Sequence, residues 1–263
     1  QLVNTGSKIV SNATGKVTIR GLEEGHYRVK EIKAPTQPKE YLLNPNYLEF
    51  DVVVDSSGSI PVVDAGSIVN YLGAAKLVKT SEKGVLLAGA VFELRRIKNA
   101  NGGNVSEIIG ANFVTDAQGE VAFNDLAPGT YEVKEIKAPS GYLLNTKPVT
   151  FMIDKFASSK PSVTPVSFVD YQGSMSFIKM DEEGNFLKGA EFDVKDATGK
   201  IVQQATTDID GKIFVEGLAP GKYTIEETKA PESFILNTQA VNCEIVSESA
   251  GKPTTVALAD FIN

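Results

Sequence analysis

The sequence contains no tryptophan, a single cysteine (Cys243) and a single histidine (His26). One cysteine forbids an intramolecular disulfide and any cysteine-rich zinc site. A Ser-His-Asp or Cys-His centre would have to be built on His26 alone. Basic residues are outnumbered, 26 Lys+Arg against 33 Asp+Glu, leaving a formal net charge of −7 and no basic stripe for nucleic acid. No apolar run approaches the ~18 residues of a membrane-spanning helix, so no membrane insertion is expected of this stretch. No signal peptide precedes Gln1, which reads as a mature or excised piece. Any function must therefore come from carboxylates, amides, lysines and shape. Neither a metal nor a cofactor is expected.

What is present is repetition. Gly21-Leu-Glu-Glu-Gly-His-Tyr-Arg-Val-Lys-Glu-Ile-Lys-Ala-Pro35 recurs as Asp125-Leu-Ala-Pro-Gly-Thr-Tyr-Glu-Val-Lys-Glu-Ile-Lys-Ala-Pro139. It recurs again as Gly217-Leu-Ala-Pro-Gly-Lys-Tyr-Thr-Ile-Glu-Glu-Thr-Lys-Ala-Pro231. Each copy follows a turn (Ala13–Lys16, Asp116–Gly119, Asp208–Gly211) and precedes a Leu-Asn pair (Leu43-Asn44, Leu144-Asn145, Leu236-Asn237). The copies lie roughly 100 residues apart, a domain-sized rather than solenoid-sized period. A second repeat, Lys79-Thr-Ser-Glu-Lys-Gly-Val-Leu-Leu-Ala-Gly-Ala-Val-Phe92 against Lys179-Met-Asp-Glu-Glu-Gly-Asn-Phe-Leu-Lys-Gly-Ala-Glu-Phe192, opens the later two beads. A third closes each bead: Ile68-Val-Asn70, Phe168-Val-Asp170 and Leu258-Ala-Asp260. The expected domains are 1–70, 71–172 and 173–263. The first lacks an opening lysine strand, so the chain is expected to begin inside a domain.

Period-two alternation in Tyr131–Ile136, Tyr223–Glu227 and Phe50–Val54, punctuated by Gly, Pro, Asn and Asp, predicts an all-β chain of sandwiches. No long segment carries helical periodicity. Three polar positions recur among apolar neighbours: Lys on the first strand, Glu in Tyr-x-x-x-Glu, and Asn or Asp on the last strand. Lys179 is in phase with Phe177 and Met175, and Asp260 is flanked by Ala259 and Phe261. A charge aimed into a core costs several kcal/mol unless it is paired or chemically altered. Read bead by bead, such a set is also compatible with surface ion pairs worth about 0–1 kcal/mol.

The Gly-Ala-x-Phe opening, the Gly-x-Tyr-x-x-x-Glu-x-x-Ala-Pro strand and the closing Val-Asn/Asp strand resemble the collagen-adhesin B-type (SpaA-like, prealbumin-like) domains of Gram-positive pilins and adhesins. The resemblance covers essentially the whole chain and implies tandem immunoglobulin-like or prealbumin-like β-sandwiches. The Tyr-x-x-x-Glu-x-x-Ala-Pro segment also resembles the E-box of sortase-assembled pilins. In that family a first-strand lysine condenses with a last-strand Asn or Asp, promoted by a buried Glu. Carried onto this chain, the cross-links would be Lys79–Asp170 with Glu135 and Lys179–Asp260 with Glu227. The first bead keeps Glu31 and an orphan acceptor, Asn70. Lys76 lies three positions before Lys79 on the opposite face of the strand. Lys79 is preferred because it aligns with Lys179, whereas Ser176 stands at the place matching Lys76.

The physical chemistry agrees with that chemistry: burial lowers an amine pKa and raises a carboxyl pKa, and fixed strands supply proximity. The reaction turns over once, releasing water from Asp or ammonia from Asn. Closing a loop of roughly 80–90 residues contributes about 4–5 kcal/mol in the chain-entropy treatment of cross-links. The expected function is an extracellular, cell wall-anchored stalk segment, partnered by other pilin subunits through sortase assembly. The alternative is a host-ligand module recognising an extracellular matrix protein, which an exposed apolar patch outside the repeat consensus would favour. Four smaller features are read as structural: Gln1–Gly6 as a strand end and turn, His26 as exposed, Cys243 as a buried small hydrophobe, and Asp208–Gly211 as a turn rather than a calcium loop. The insert Ile97–Val105 lengthens a loop, where binding sites are often carried.

Overall fold

The computed structural model describes residues 9–263; the reading of Gln1–Gly6 falls outside the described residues. The described residues contain no helix and 19 strands. They divide into two compact units, residues 9–71 with 156–160, and residues 72–155 with 161–263. In the first unit β1 (Gly25–Lys30) and β2 (Tyr47–Val52) pair antiparallel, with Tyr27 stacked on Phe50 across the ladder.

The second unit holds two sandwiches built to one plan. In the middle sandwich β3 (Gly73–Ser81) lies between β6 (Glu120–Leu126) and β10 (Thr164–Asp170). The facing sheet runs β5 (Asn104–Val114), β4 (Val91–Asn99), β7 (Gly129–Lys137), β9 (Val149–Ile153). In the C-terminal sandwich β11 (Gly173–Met180) is flanked by β14 (Lys212–Leu218) and β18 (Thr254–Ala257), and further along by β19 (Phe261–Ile262). Its facing sheet runs β13 (Ile201–Thr206), β12 (Glu191–Asp196), β15 (Gly221–Lys229), β16 (Val241–Ile245). Two short strands, β8 (Leu144–Asn145) and β17 (Glu248–Ser249), pair parallel with each other.

The motifs read from the sequence have local causes. Ala90 and Ala190 of the Gly-Ala-x-Phe openings are fully buried. Thr115 Oγ1 accepts the Ala90 N–H and donates to the Leu87 carbonyl, as Thr207 does for Ala190 and Leu187. The motif tyrosine reaches back four residues: Tyr27, Tyr131 and Tyr223 donate to the carbonyls of Glu23, Ala127 and Ala219. Strand alternation then places Tyr131, Val133 and Glu135 on one inner face, and Tyr223, Ile225 and Glu227 on the other.

The smaller expectations can be placed too. His26 is exposed, with Nδ1 2.8 Å from Asp51 Oδ1. Cys243 is buried against Met175, and burial pushes its thiol pKa up. Asp208 Oδ1 accepts the Asp210 and Lys212 amides at 2.9 and 2.8 Å, as a turn aspartate does. The 97–105 insert forms the turn of the β4–β5 hairpin.

One glycine position bears directly on the lysine strands. Gly119 and Gly211 have φ of 67° and 64°, and their carbonyls accept the Lys79 and Lys179 amides at 2.8 and 2.7 Å. A Cβ at Gly211 would stand 2.4 Å from the Lys179 carbonyl oxygen. Gly211→Ala is therefore expected to cost about 1–3 kcal/mol through left-handed strain and crowding. The urea midpoint of the C-terminal sandwich reads this loss.

Candidate functional site

In each sandwich of the second unit the first strand and the last strand run parallel side by side. β3 pairs β10 with Lys79 opposite Phe168, and β11 pairs β19 with Lys179 opposite Phe261. Residues two apart share a face, so Asp170, two after Phe168 and opposite Ser81, points to the same inner face as Lys79, within reach of its long side chain. Lys79 and Asp170 are both fully buried, with Nζ 2.8 Å from Oδ1. Nζ also sits 5.4 Å from the Phe168 ring centroid. Lys76 points the other way and makes an exposed 2.7 Å pair with Glu120.

Glu135 completes the group from the opposite sheet and is itself buried. Its Oε2 accepts the Asn145 backbone N–H at 2.9 Å. The Lys79–Asp170 approach is short but not aligned as a hydrogen bond. Both Asp170 carboxylate oxygens and Glu135 Oε1 are buried with no aligned hydrogen-bond partner. Such orphaned buried oxygens are rare and call for a chemical explanation. Burial pushes the Lys79 amine below its ordinary value, against the pull of Asp170 and Glu135. It raises the Asp170 carboxyl, against the opposing lysine. Burial, reinforced by the Asp170 charge, pushes Glu135 up to about 8. All three shifts run toward the uncharged forms, a neutral amine and neutral acids.

The C-terminal sandwich corrects one expectation. Asp260 is exposed and does not approach Lys179. Asn263 stands there instead: Lys179 Nζ donates to its Oδ1 at 2.5 Å, and its Nδ2 is 3.5 Å from Glu227 Oε1. Lys179 Nζ lies 3.6 Å from Glu227 Oε1, and both side chains are fully buried. Burial lowers the Lys179 amine, against the Glu227 charge. The physical reason is alternation: Phe261 faces inward opposite Lys179, so Asp260 and Ile262 face outward and Asn263 faces inward. Phe261-Ile-Asn263 is therefore the copy of Phe168-Val-Asp170. The aromatic packing repeats with it, since Phe92 meets Phe168 edge-on at 5.0 Å and Phe192 meets Phe261 edge-on at 5.1 Å.

The Leu-Asn pairs, noted in the sequence without a role, form a latch on the acid. Asn44, Asn145 and Asn237 give their backbone N–H groups to Glu31, Glu135 and Glu227 at 2.9, 2.9 and 2.8 Å. Their Nδ2 groups donate to the carbonyls of Val69, Val169 and Ile262, each one residue before the acceptor. Their Oδ1 atoms accept the amides of Asn46, Lys147 and Gln239, which sets the turn. A single asparagine so ties the acid-bearing strand to the acceptor strand. The Leu-Asn pair recurring after each motif Glu, ten residues on in the middle and C-terminal sandwiches and thirteen in the first unit, is the signal that would have found it. In the first unit Asn70 Nδ2 donates to Glu31 Oε2 at 2.7 Å, so acid and acceptor meet there as well.

Three segments of the chain, 2–66, 73–164 and 173–260, match the model of the SpaA prealbumin-like fold domain. The chain belongs to that family. It is 26% identical over 257 residues to colossin-A of Dictyostelium discoideum, covering 84% of this chain and 2% of that protein. It is 24% identical over 301 residues to serine-aspartate repeat-containing protein D of Staphylococcus aureus strain Newman, covering 99% of this chain and 22% of that one. The chain thus spans about a fifth or less of the length of these curated relatives. Among solved structures, a streptococcal ancillary pilin is 23% identical with a TM-score of 0.35, covering 90% of this chain and 76% of that one.

Replacing Asn145 by alanine leaves the part-buried Val169 carbonyl and Lys147 amide without their side-chain partner. The loss is expected at about 1–3 kcal/mol in chemical denaturation. An unchanged midpoint would mean that the latch bears no load.

Proposed function

We propose that this chain is a segment of a Gram-positive surface stalk, a pilin or adhesin shaft, whose sandwiches are closed by amide cross-links they make themselves. The observation that carries the reading is the fully buried Lys79–Asp170 pair beside an acid raised to about 8. In the middle sandwich the neutral Lys79 Nζ attacks Asp170 Cγ. Glu135, protonated, holds the acceptor oxygen and relays the amine proton to the departing hydroxyl, which leaves as water. In the C-terminal sandwich Lys179 Nζ attacks Asn263 Cγ, and Glu227 passes the proton to Nδ2, which leaves as ammonia. The parallel strands supply the proximity that a bimolecular amide condensation lacks. Each acid acts once; no external substrate is turned over.

The mechanical consequence supports the stalk reading. Each bond joins the entering strand of a sandwich to its leaving strand, so tension along the chain runs through the amide and bypasses the strands between. In an extracellular chain with one cysteine, this staple takes the place disulfides have elsewhere. Extracellular location, wall anchoring and sortase-dependent joining to other subunits belong to the same proposal.

Intact mass of the denatured chain tests it. The expected deficit is one water and one ammonia. Asn263→Ala should restore the ammonia alone, Glu135→Gln the water alone, and Asp260→Ala neither. A mass equal to the unmodified sequence overturns the cross-links. The pH dependence has a definite sign. When chain recovered unfolded and unreacted is refolded at a series of pH values, closure of the middle sandwich should slow as the pH rises through about 8 and Glu135 loses its proton. It should also slow in acid, where the Lys79 amine is protonated. A rate that keeps rising above pH 8 removes Glu135 as the acid.

A further inference from the structure

The segment between the Ala-Pro motif and the latch asparagine is apolar in all three repeats: Tyr41-Leu-Leu-Asn44, Tyr142-Leu-Leu-Asn145 and Phe234-Ile-Leu-Asn237. Its burial differs sharply between copies. Leu42 is 1% exposed and Leu143 is 0% exposed, but Ile235, at the same place, is 89% exposed. Phe234 and Leu236 beside it are exposed too. The local backbone does not explain this. Tyr142 N–H donates to the Pro139 carbonyl at 3.2 Å, and Phe234 N–H to the Pro231 carbonyl at 3.1 Å. The latch hydrogen bonds of Asn145 and Asn237 also match one for one.

What differs is the cover. Leu143 belongs to the core of the C-terminal sandwich, with Met175, Phe177 and Ile245. The Leu143 N–H donates to the Tyr171 carbonyl at 2.9 Å, immediately after the acceptor Asp170. Leu144 N–H then donates to Ser247 O at 2.8 Å, and Thr146 N–H to Ser249 O at 2.9 Å, as β8 pairs parallel with β17. Within the first unit the same pairing recurs: Leu43 bridges Phe156 in parallel, and Ala157 N–H donates to Leu43 O at 3.0 Å. Phe156 and Ala157 stand three and four residues after Ile153, as Glu248 and Ser249 do after Ile245.

We infer that Phe234–Leu236 is a docking strip for a further sandwich of this same build, joined directly after Asn263. Its core takes Ile235 as the C-terminal sandwich takes Leu143, and its counterpart of β17 pairs parallel with Leu236. Sequence continuity is required by the geometry, because the acceptor of the Leu143 amide is the residue next to Asp170. An apolar side chain left in water in the middle of a strip whose copies are buried is a surface built for burial. The patch lies inside the repeat consensus, so it does not mark the host-ligand alternative. The kind of partner rests on the stalk reading, whereas the strip itself is independent of the cross-links.

The test compares the chain with the same chain extended after Asn263 by a second copy of residues 171–263. Amide hydrogen exchange is read at Ile235 and Leu236. Extension should slow both amides by about tenfold or more, and Ile235→Asp in the extended chain should return them to fast exchange while the core amides stay protected. In the chain without the extension, Ile235→Asp should leave the urea midpoint unchanged, whereas Leu143→Asp should lower it. Exchange unaltered by extension overturns the proposal. So does an Ile235→Asp loss equal to that of Leu143→Asp, which would place Ile235 in internal packing. A failure of the cross-link reading appears in the intact mass and leaves this result standing.

Discussion

Parallel pairing of the first and last strands of each sandwich is the constraint on which the rest depends. An antiparallel neighbour could be joined by a short turn, but a parallel neighbour must come from the far end of a domain. The pairing therefore brings the two ends of a domain side by side, and period-two alternation turns one lysine and one carboxyl or amide to the same inner face, two residues apart along the ladder. Everything unusual about the site follows. The amine and acids lose their water, move toward their neutral forms, and face each other at contact distance.

The acid is held by the opposite sheet, and the asparagine latch makes that placement reproducible. Its backbone N–H fixes one oxygen of the Glu, its side-chain amide fixes the strand that carries the acceptor, and its carbonyl oxygen sets the turn between. That three repeats keep this arrangement while their surfaces vary shows where the packing tolerates little change. The chain begins the next sandwich within three residues of the acceptor, with Gly73 and Gly173 opening β3 and β11. Between the middle and C-terminal sandwiches, Leu143 acts as a plug from one core into the next. The buried amine–acid group within a sandwich and the continuity between sandwiches are thus built from neighbouring residues of the same strands.

Much of this was legible from residues alone. The repeats, the all-β alternation, Lys79 with Glu135 and Asp170, and Lys179 with Glu227 could be read because each motif is long and recurs. The residue beside Lys179 was misplaced. Asp260 satisfies the pattern of apolar neighbours, while Asn263 lies at the very end of the sequence with no residue after it to show alternation. Matching Phe261 to Phe168 resolves the register, but only knowledge that this aromatic sits opposite the lysine makes that match decisive. The latch asparagine was visible as a repeat without a purpose, since a backbone donor leaves no trace in residue type.

The sequence by itself determined what is periodic: strand faces, turn positions, and which residue types could meet in a core. Those follow from short-range stereochemistry and from the cost of exposing or burying each side chain. Tertiary structure decided what depends on pairing across many residues. It set that Asn263 and not Asp260 meets Lys179, which lysine faces inward, and why Leu143 is buried while Ile235 is not. The last case shows the reason most simply. The two side chains stand at the same place in the same local structure, and their fates differ because a neighbouring domain covers one of them.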